Sequence, residues 1–142
     1  GPLNPVIFNE LKDWTTSEND SIKYYSGTAV YSTSFNLAEL QKNKSLFLSL
    51  GKLTSMAKVK INGKYVGGVW TAPWQINITN AVKAGKNEVE ISVVNNWVNK
   101  LIGDSKLPEE KRITWTPVNS YNAQSPLQSS GLIGPVTLQI TK

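Results

Sequence analysis

The sequence contains no cysteine and no histidine. Without cysteine there are no disulfides, thiolate ligands or cysteine nucleophiles, and without histidine the chain lacks the usual general base and the commonest metal ligand. Any catalysis would have to come from its ten carboxylates, from lysine or from hydroxyl groups without an imidazole partner. No pair of acids stands out for that role, and no alternating Asp/Asn run of the calcium-loop type occurs. We therefore expect no catalytic residues, no cofactor and no metal site.

Long apolar runs and dense basic runs are also missing. No stretch approaches the ~20 apolar residues that a membrane-spanning helix needs, and no block of five or six basic residues marks a nucleic-acid tail. We expect neither a membrane span nor a nucleic-acid partner. The net charge of +5 nevertheless favours anionic partners.

The length of 142 residues, with 39% hydrophobic residues, is typical of one soluble globular domain. Residues 1–5, which begin Gly1-Pro2-Leu3, are expected to be a protease-cleavage remnant and boundary residues. Residues 6–142 contain no repeat and no linker, so we predict a single domain there, excised from a longer protein.

Apolar residues alternate with polar ones in several short segments, a pattern typical of half-buried strands. The clearest is Met56–Ile61, which is followed by Asn62-Gly63, so Lys64–Val69 is predicted to return as a hairpin. Residues 87–95 and 136–141 alternate in the same way. The sequence therefore predicts an all-β fold, a β-sandwich with one solvated face on each of these strands.

Other segments give weaker predictions. Residues 24–35 are predicted to form one long strand and residues 46–48 a central one. Short capped turns are expected at residues 36–39, 79–85 and 108–110. Residues 97–131 show no clear alternation, and long irregular segments of this kind often carry function.

Several motifs together carry a family resemblance. They are YYSGTAVY at 24–31, AKVKINGKYVG at 57–67, Trp70 with Pro73-Trp74, Ile78-Thr79, Gly85-Lys86-Asn87, NWVNKLIGD at 96–104 and SGLIGPV at 130–136. In order and spacing they resemble the jelly-roll, galactose-binding-like domains of glycoside hydrolases. Such domains occur as the family 2 sugar-binding domain and as the C-terminal sandwich of family 106 α-L-rhamnosidases.

This resemblance implies two antiparallel sheets, no catalytic residue of the domain's own, and a parent catalytic domain as partner. It also implies an enzyme in the periplasm, outside the cell or on its surface. In family 2 β-galactosidases the domain lends an Asn and an Asp to the neighbouring catalytic site. The matching positions here are Ser26 and Ser125, a departure that does not support that role.

The first candidate binding surface is basic. Alternation places Lys58 and Lys60 on the outer face of one strand, about 7 Å apart, with Lys64 just beyond the turn. The spacing of these cations loosely matches the spacing of carboxylates along an acidic glycan. The alternative is an edge strand that lysines protect against sheet pairing.

The second candidate surface is the irregular segment that begins at Arg112. Trp115 and Tyr121 lie there among hydroxyl and amide side chains, where aromatic rings could stack on sugar. The alternative is a buried Trp115 that anchors the segment. Asp104, just upstream, is expected to cap a turn or to bond Lys100 or Arg112.

The remaining aromatic residues are expected to be mainly structural, namely Trp70, Trp74 and Trp97 in the core and Tyr24, Tyr25 and Tyr31 partly inward. Together these observations favour a non-catalytic carbohydrate-binding module of a larger polysaccharide-degrading glycoside hydrolase. Its ligand would be an acidic plant glycan such as the polygalacturonate of pectin. The alternative is a structural accessory domain that packs on the catalytic domain and binds no glycan itself.

Overall fold

The computed structural model describes all 142 residues. It contains nine strands, two short α-helices and two 3-10 turns. The strands are β1 Gly27–Leu37, β2 Ser45–Ser49, β3 Lys52–Leu53, β4 Met56–Ile61, β5 Lys64–Val69, β6 Gln75–Asn77, β7 Gly85–Asn95, β8 Leu132–Gly134 and β9 Thr137–Thr141. The helices are α1 Asp20–Lys23 and α2 Val98–Ser105, and the 3-10 turns are Trp14–Thr16 and Glu109–Lys111.

The strands form antiparallel sheets in the order β1-β7-β4-β5 and β6-β2-β9, with β3 and β8 as a separate pair. Alternate residues of the four-stranded sheet point inward: Ala57, Val59 and Ile61 of β4 are completely buried. They share one core with Leu48 of β2 and Leu132 of β8. The predicted all-β sandwich is therefore confirmed.

The hairpin between β4 and β5 forms as predicted. Asn62 and Gly63 adopt φ angles of 52° and 77°, the left-handed backbone that a tight hairpin turn requires. The register shifts after Val59, where β5 carries a bulge. Because β4 lies between β7 and β5, it is not an edge strand. The structure thus contradicts the alternative that Lys58 and Lys60 protect an edge.

Tertiary pairing moves two predicted boundaries. The long strand begins at Gly27 instead of residue 24, because Tyr24 ends α1 and Tyr25 packs against Trp14 with ring centroids 5.6 Å apart. Residues 36–37 remain in β1, where Asn36 and Leu37 pair with the start of β7. Pairing across the sheet therefore overrides the local helix-cap signal at residues 36–39.

Three other local predictions are confirmed. Residues 46–48 lie in β2, the middle strand of its sheet, with Leu46 and Leu48 buried. A turn forms at residues 79–81, and Gly85, whose φ is 87°, begins β7. The turn after Pro108 is the 3-10 turn, with Pro108 as its cap.

The irregular segment 97–131 holds one element that the sequence analysis missed, the helix α2. At eight residues it covers barely two turns, so its apolar periodicity is too short to stand out. No helix in the structure is both long enough and apolar enough to cross a membrane.

The tryptophans are placed differently from expectation. Trp74 is half-buried against the core, as predicted. Trp70 and Trp97 are 68% and 64% exposed, so the prediction that they belong to the core is wrong. Trp14 is the buried tryptophan, and its ring stacks on Tyr31 at 6.1 Å. Position in the fold, and not residue type alone, decided which indole rings the core contains.

Candidate functional site

Lys58 and Lys60 project from the outer face of the four-stranded sheet. Both are exposed, as their alternation with buried Val59 predicts. Lys58 lies opposite Gly68 on β5 and Ser92 on β7. Lys60 lies opposite Tyr65 and Glu90 on the same two strands.

Neither lysine is engaged in an ion pair. The two ion pairs of the protein join Lys86 to Glu88 at 3.2 Å and Lys100 to Asp104 at 3.1 Å. Glu90 is the cross-strand neighbour of Lys60, yet no carboxylate oxygen lies within 4.0 Å of that ammonium nitrogen. Both ammonium groups on this face are therefore available to an anionic ligand.

Lys64 does not share this face. It pairs across the hairpin with Ile61, whose side chain is buried on the inner side of the sheet. Cross-strand partners lie on the same side of a sheet, so Lys64 projects to the side opposite Lys60 and Tyr65. The structure brings two of the three candidate lysines together and separates the third.

Two exposed aromatic residues accompany the lysines, and the sequence analysis missed both as site residues. Tyr65 is 57% exposed, and Trp70 follows directly after β5. The available signal was alternation: Val69 is buried, so its neighbours Gly68 and Trp70 must face outward. The general tendency of tryptophan to be buried obscured that signal.

The residues of the second candidate surface are not clustered. Trp115 is 86% exposed, which contradicts the alternative that it is a buried anchor. Arg112 is exposed and donates from Nε to the carbonyl oxygen of Leu107 at 2.9 Å. Tyr121 is half-buried, and its ring does not pack against Trp115. Direct contacts therefore do not unite these three residues into one site.

Helix α2 fixes both ends of this segment. At one end the Asn99 side chain donates to the carbonyl oxygen of Gln128 at 2.6 Å and accepts from its backbone N–H at 2.8 Å. At the other end Asp104 Oδ2 accepts from the backbone N–H groups of Ile113 and Thr114, at 3.1 and 2.8 Å, and from the Thr114 hydroxyl at 2.7 Å. A short helix thus holds a long loop.

The Asp104 carboxylate is almost fully buried yet charged. Burial by itself raises its pKa, but hydrogen bonds from Thr114 and Lys100 lower the pKa by more than burial raises it, so the pKa lies below the ordinary value of 3.8. Of the partners proposed from sequence, Lys100 is the one that pairs with it. Because the folded-state pKa is lowered, the stabilisation is complete above about 3.8 and is lost as pH falls through the folded-state value.

We expect Asp104→Asn to lower the free energy of unfolding by about 2 kcal/mol at neutral pH, because it removes a charged acceptor from three donors and from Lys100. Urea unfolding of both proteins from pH 7 to pH 2 measures the effect. The difference in unfolding free energy between them should narrow as pH falls from about 3.8 through the lower pKa of the Asp104 carboxyl in the folded state. A difference in unfolding free energy that stays constant down to pH 2 would contradict the lowered pKa assigned to Asp104.

Ser26 and Ser125, the positions that the sequence analysis compared with the catalytic-support residues of family 2, are not brought together in one site. Ser26 lines a cavity of about 520 Å³ beside Tyr24, Trp97 and Lys100. Ser125 lies outside that cavity, and its hydroxyl accepts from the backbone N–H of Asn122 at 2.9 Å.

The antiparallel sandwich and the order of its motifs are those of a galactose-binding-like domain of the glycoside hydrolase type. Comparison with known families agrees: the family described as glycosyl hydrolase 2 galactose-binding domain-like matches residues 9–127. The chain belongs to this family.

Individual relatives are much longer enzymes. A Formosa agariphila protein named "Putative beta-glucuronidase" is 38% identical over 97% of this chain, which spans 14% of that protein. The structure of a rhamnosidase from Novosphingobium sp. PP1Y superposes on 93% of this chain with a TM-score of 0.85 and 43% identity, and the match covers 12% of the rhamnosidase. A beta-glucuronidase from Ruminococcus gnavus, with 23% identity and a TM-score of 0.56 over 67% of this chain and 16% of its own, supports the fold alone.

Proposed function

We propose that this domain binds glycan within a larger glycoside hydrolase, and that its ligand carries carboxylates, as the polygalacturonate of pectin does. The parent enzyme would act on polysaccharide in the periplasm or outside the cell. The relatives support the setting, since the chain spans 14% and 12% of two enzymes whose names assign them to glycoside cleavage.

One observation carries this proposal: Lys58 and Lys60 stand about 7 Å apart on a solvated sheet face and have no ion pair. Neither ammonium group forms an ion pair, although Glu90 is the cross-strand neighbour of Lys60. A polymer with repeated carboxylates would engage both, and because such contacts are exposed, its affinity should fall as salt rises.

Lys58→Ala combined with Lys60→Ala should lower affinity for polygalacturonate up to about tenfold, because each exposed charge contact contributes only about 1 kcal/mol or less. Both side chains are exposed, so the fold should be unchanged. Affinity electrophoresis and calorimetry at two salt concentrations provide the measurement, and circular dichroism checks the fold.

The matched control is Lys42→Ala combined with Lys44→Ala, which removes the same charge from an exposed loop away from the sheet face. This control should retain most of the binding. Equal losses in both double variants would mean that net charge, and not the sheet face, attracts the polymer. Unchanged affinity in the Lys58 and Lys60 double variant would remove the basic-face proposal.

A second candidate function is packing against the catalytic domain of the parent enzyme. The observation that favours it is the exposed apolar side chains of the segment after Arg112: Ile113, Trp115 and Val118 are 79%, 86% and 78% exposed. A domain that only packs against the catalytic domain would bind no member of a panel of neutral and uronic polysaccharides. Retention on any of them would favour the glycan-binding function.

A further inference from the structure

The outer face of β5 contains a gap between two aromatic rings. Gly68 has no side chain, and a Cβ built there would lie 3.3 Å from the carbonyl oxygen of Ala57 and 3.7 Å from both Trp70 Cζ3 and the Tyr65 hydroxyl oxygen. Gly68 is not among the glycines with positive φ, so the backbone does not require glycine at this position. The two rings therefore flank a strip of bare backbone where even a methyl group would contact both of them.

These rings remain in solvent although they are large. Trp70 is 68% exposed and Tyr65 is 57% exposed, and neither takes part in the aromatic contacts around Trp14. Aromatic side chains usually contribute to a core or to an interface because of their large apolar area. Here they contribute their exposed area to the sheet face that already carries Lys58.

The charges around the gap are asymmetric. Lys58 is the cross-strand partner of Gly68, and its partner on the other side is neutral Ser92. Lys60, one pair further along, lies beside Tyr65 but also opposite Glu90. A carboxylate held over Gly68 would thus meet Lys58 without an acidic cross-strand neighbour, whereas near Lys60 it would meet Glu90.

We infer that Trp70, Tyr65 and Lys58 form a subsite for a single uronate ring, an inference that rests on the proposed glycan binding. The apolar C–H face of the pyranose stacks on the exposed indole and phenol rings, and the bare backbone at Gly68 places no side chain between them. The ammonium of Lys58 binds the ring carboxylate. Stacking supplies affinity for pyranoses in general, and the lysine supplies the preference for acidic ones.

The experiment uses two polymers that have the same rings and differ in charge: polygalacturonate and highly methyl-esterified pectin. Trp70→Ala should weaken binding to both at least about tenfold, because it removes the stacking surface. Lys58→Gln should weaken binding to polygalacturonate alone, to the level of the esterified polymer. Calorimetry and the change in tryptophan fluorescence on titration report both effects.

Trp115→Ala is the matched control, since it removes another exposed tryptophan, and it should bind as the unaltered protein does. If Trp115→Ala abolishes binding and Trp70→Ala does not, the glycan lies on the loop surface; the subsite is then wrong while glycan binding stands. Equal weakening of both polymers by Lys58→Gln would also overturn the role of Lys58. If the unaltered protein binds no polysaccharide, the proposed function itself fails, and the exposed face would then belong to a protein contact.

Discussion

Gly51→Ala is expected to lower the free energy of unfolding by at least about 3 kcal/mol, the sum of left-handed strain and overpacking. Gly51 has a φ of 65°, which is unfavourable for a residue with a Cβ. That Cβ would overlap the carbonyl carbon of Gly134 and lie 2.5 Å from the carbonyl oxygens of Gly134 and Pro135. All these atoms are backbone, so no change of rotamer relieves the overlap. Urea unfolding followed by circular dichroism measures the loss.

Gly63→Ala separates the two causes. Gly63 has a similar φ of 77°, but no atom lies within 4 Å of its built Cβ. This control should lose only about 1 kcal/mol, the strain alone. Equal losses in the two variants would show that the contact between the β2–β3 connection and β8 tolerates a methyl group.

Asn87→Ala is expected to lower the free energy of unfolding by about 3 kcal/mol, because it leaves several buried polar groups without partners. Asn87 is fully buried. Its Oδ1 accepts from the Lys83 N–H and the Asn62 side chain, both at 2.9 Å, and its Nδ2 donates to the carbonyl oxygens of Lys83 and Gly85 at 2.8 and 3.1 Å. This one side chain ties the hairpin turn to the turn before β7. Thermal and urea unfolding provide the measurement.

Asn80→Ala is the matched control for Asn87. Asn80 lies exposed in the same turn region, and its side chain makes no hydrogen bond within the protein. Its replacement should change stability by less than about 0.5 kcal/mol. A small effect at both positions would mean that water can replace the partners of Asn87.

The local strand signals succeeded for β4 and its hairpin, whereas β9 forms without the predicted buried face, since all five of its residues are exposed. Alternation placed Lys58 and Lys60 outward, and Asn62-Gly63 identified the hairpin, because both depend on the backbone angles of a few adjacent residues. The cap signal at residues 36–39 failed because pairing of Asn36 and Leu37 with β7 outweighed it. Local propensity therefore predicted an element only where no distant strand competed for the same residues.

The exposure of the aromatic residues likewise depends partly on local pattern and partly on distant pairing. Trp70 is exposed because it is the neighbour of buried Val69, the last residue of β5. The burial of Val69 itself depends on its pairing with Ala57 across the hairpin. Trp97 was assigned to the core because a strand precedes it, whereas it stands exposed at the N-terminus of α2. Neither exposure could be read from the residue type.

By itself the sequence determined the fold class, the absence of cysteine and histidine chemistry, the hairpin and the direction in which Lys58 points. These depend on composition and on backbone geometry over a few residues. Only the tertiary structure decided that β4 is an interior strand and that Lys58 lies between Gly68 and Ser92. The physical reason is that Ser92 is 34 residues away along the chain (92 − 58), so its position beside Lys58 depends on which strands pair and in which register. Strand pairing and register in turn follow from burial of the whole core.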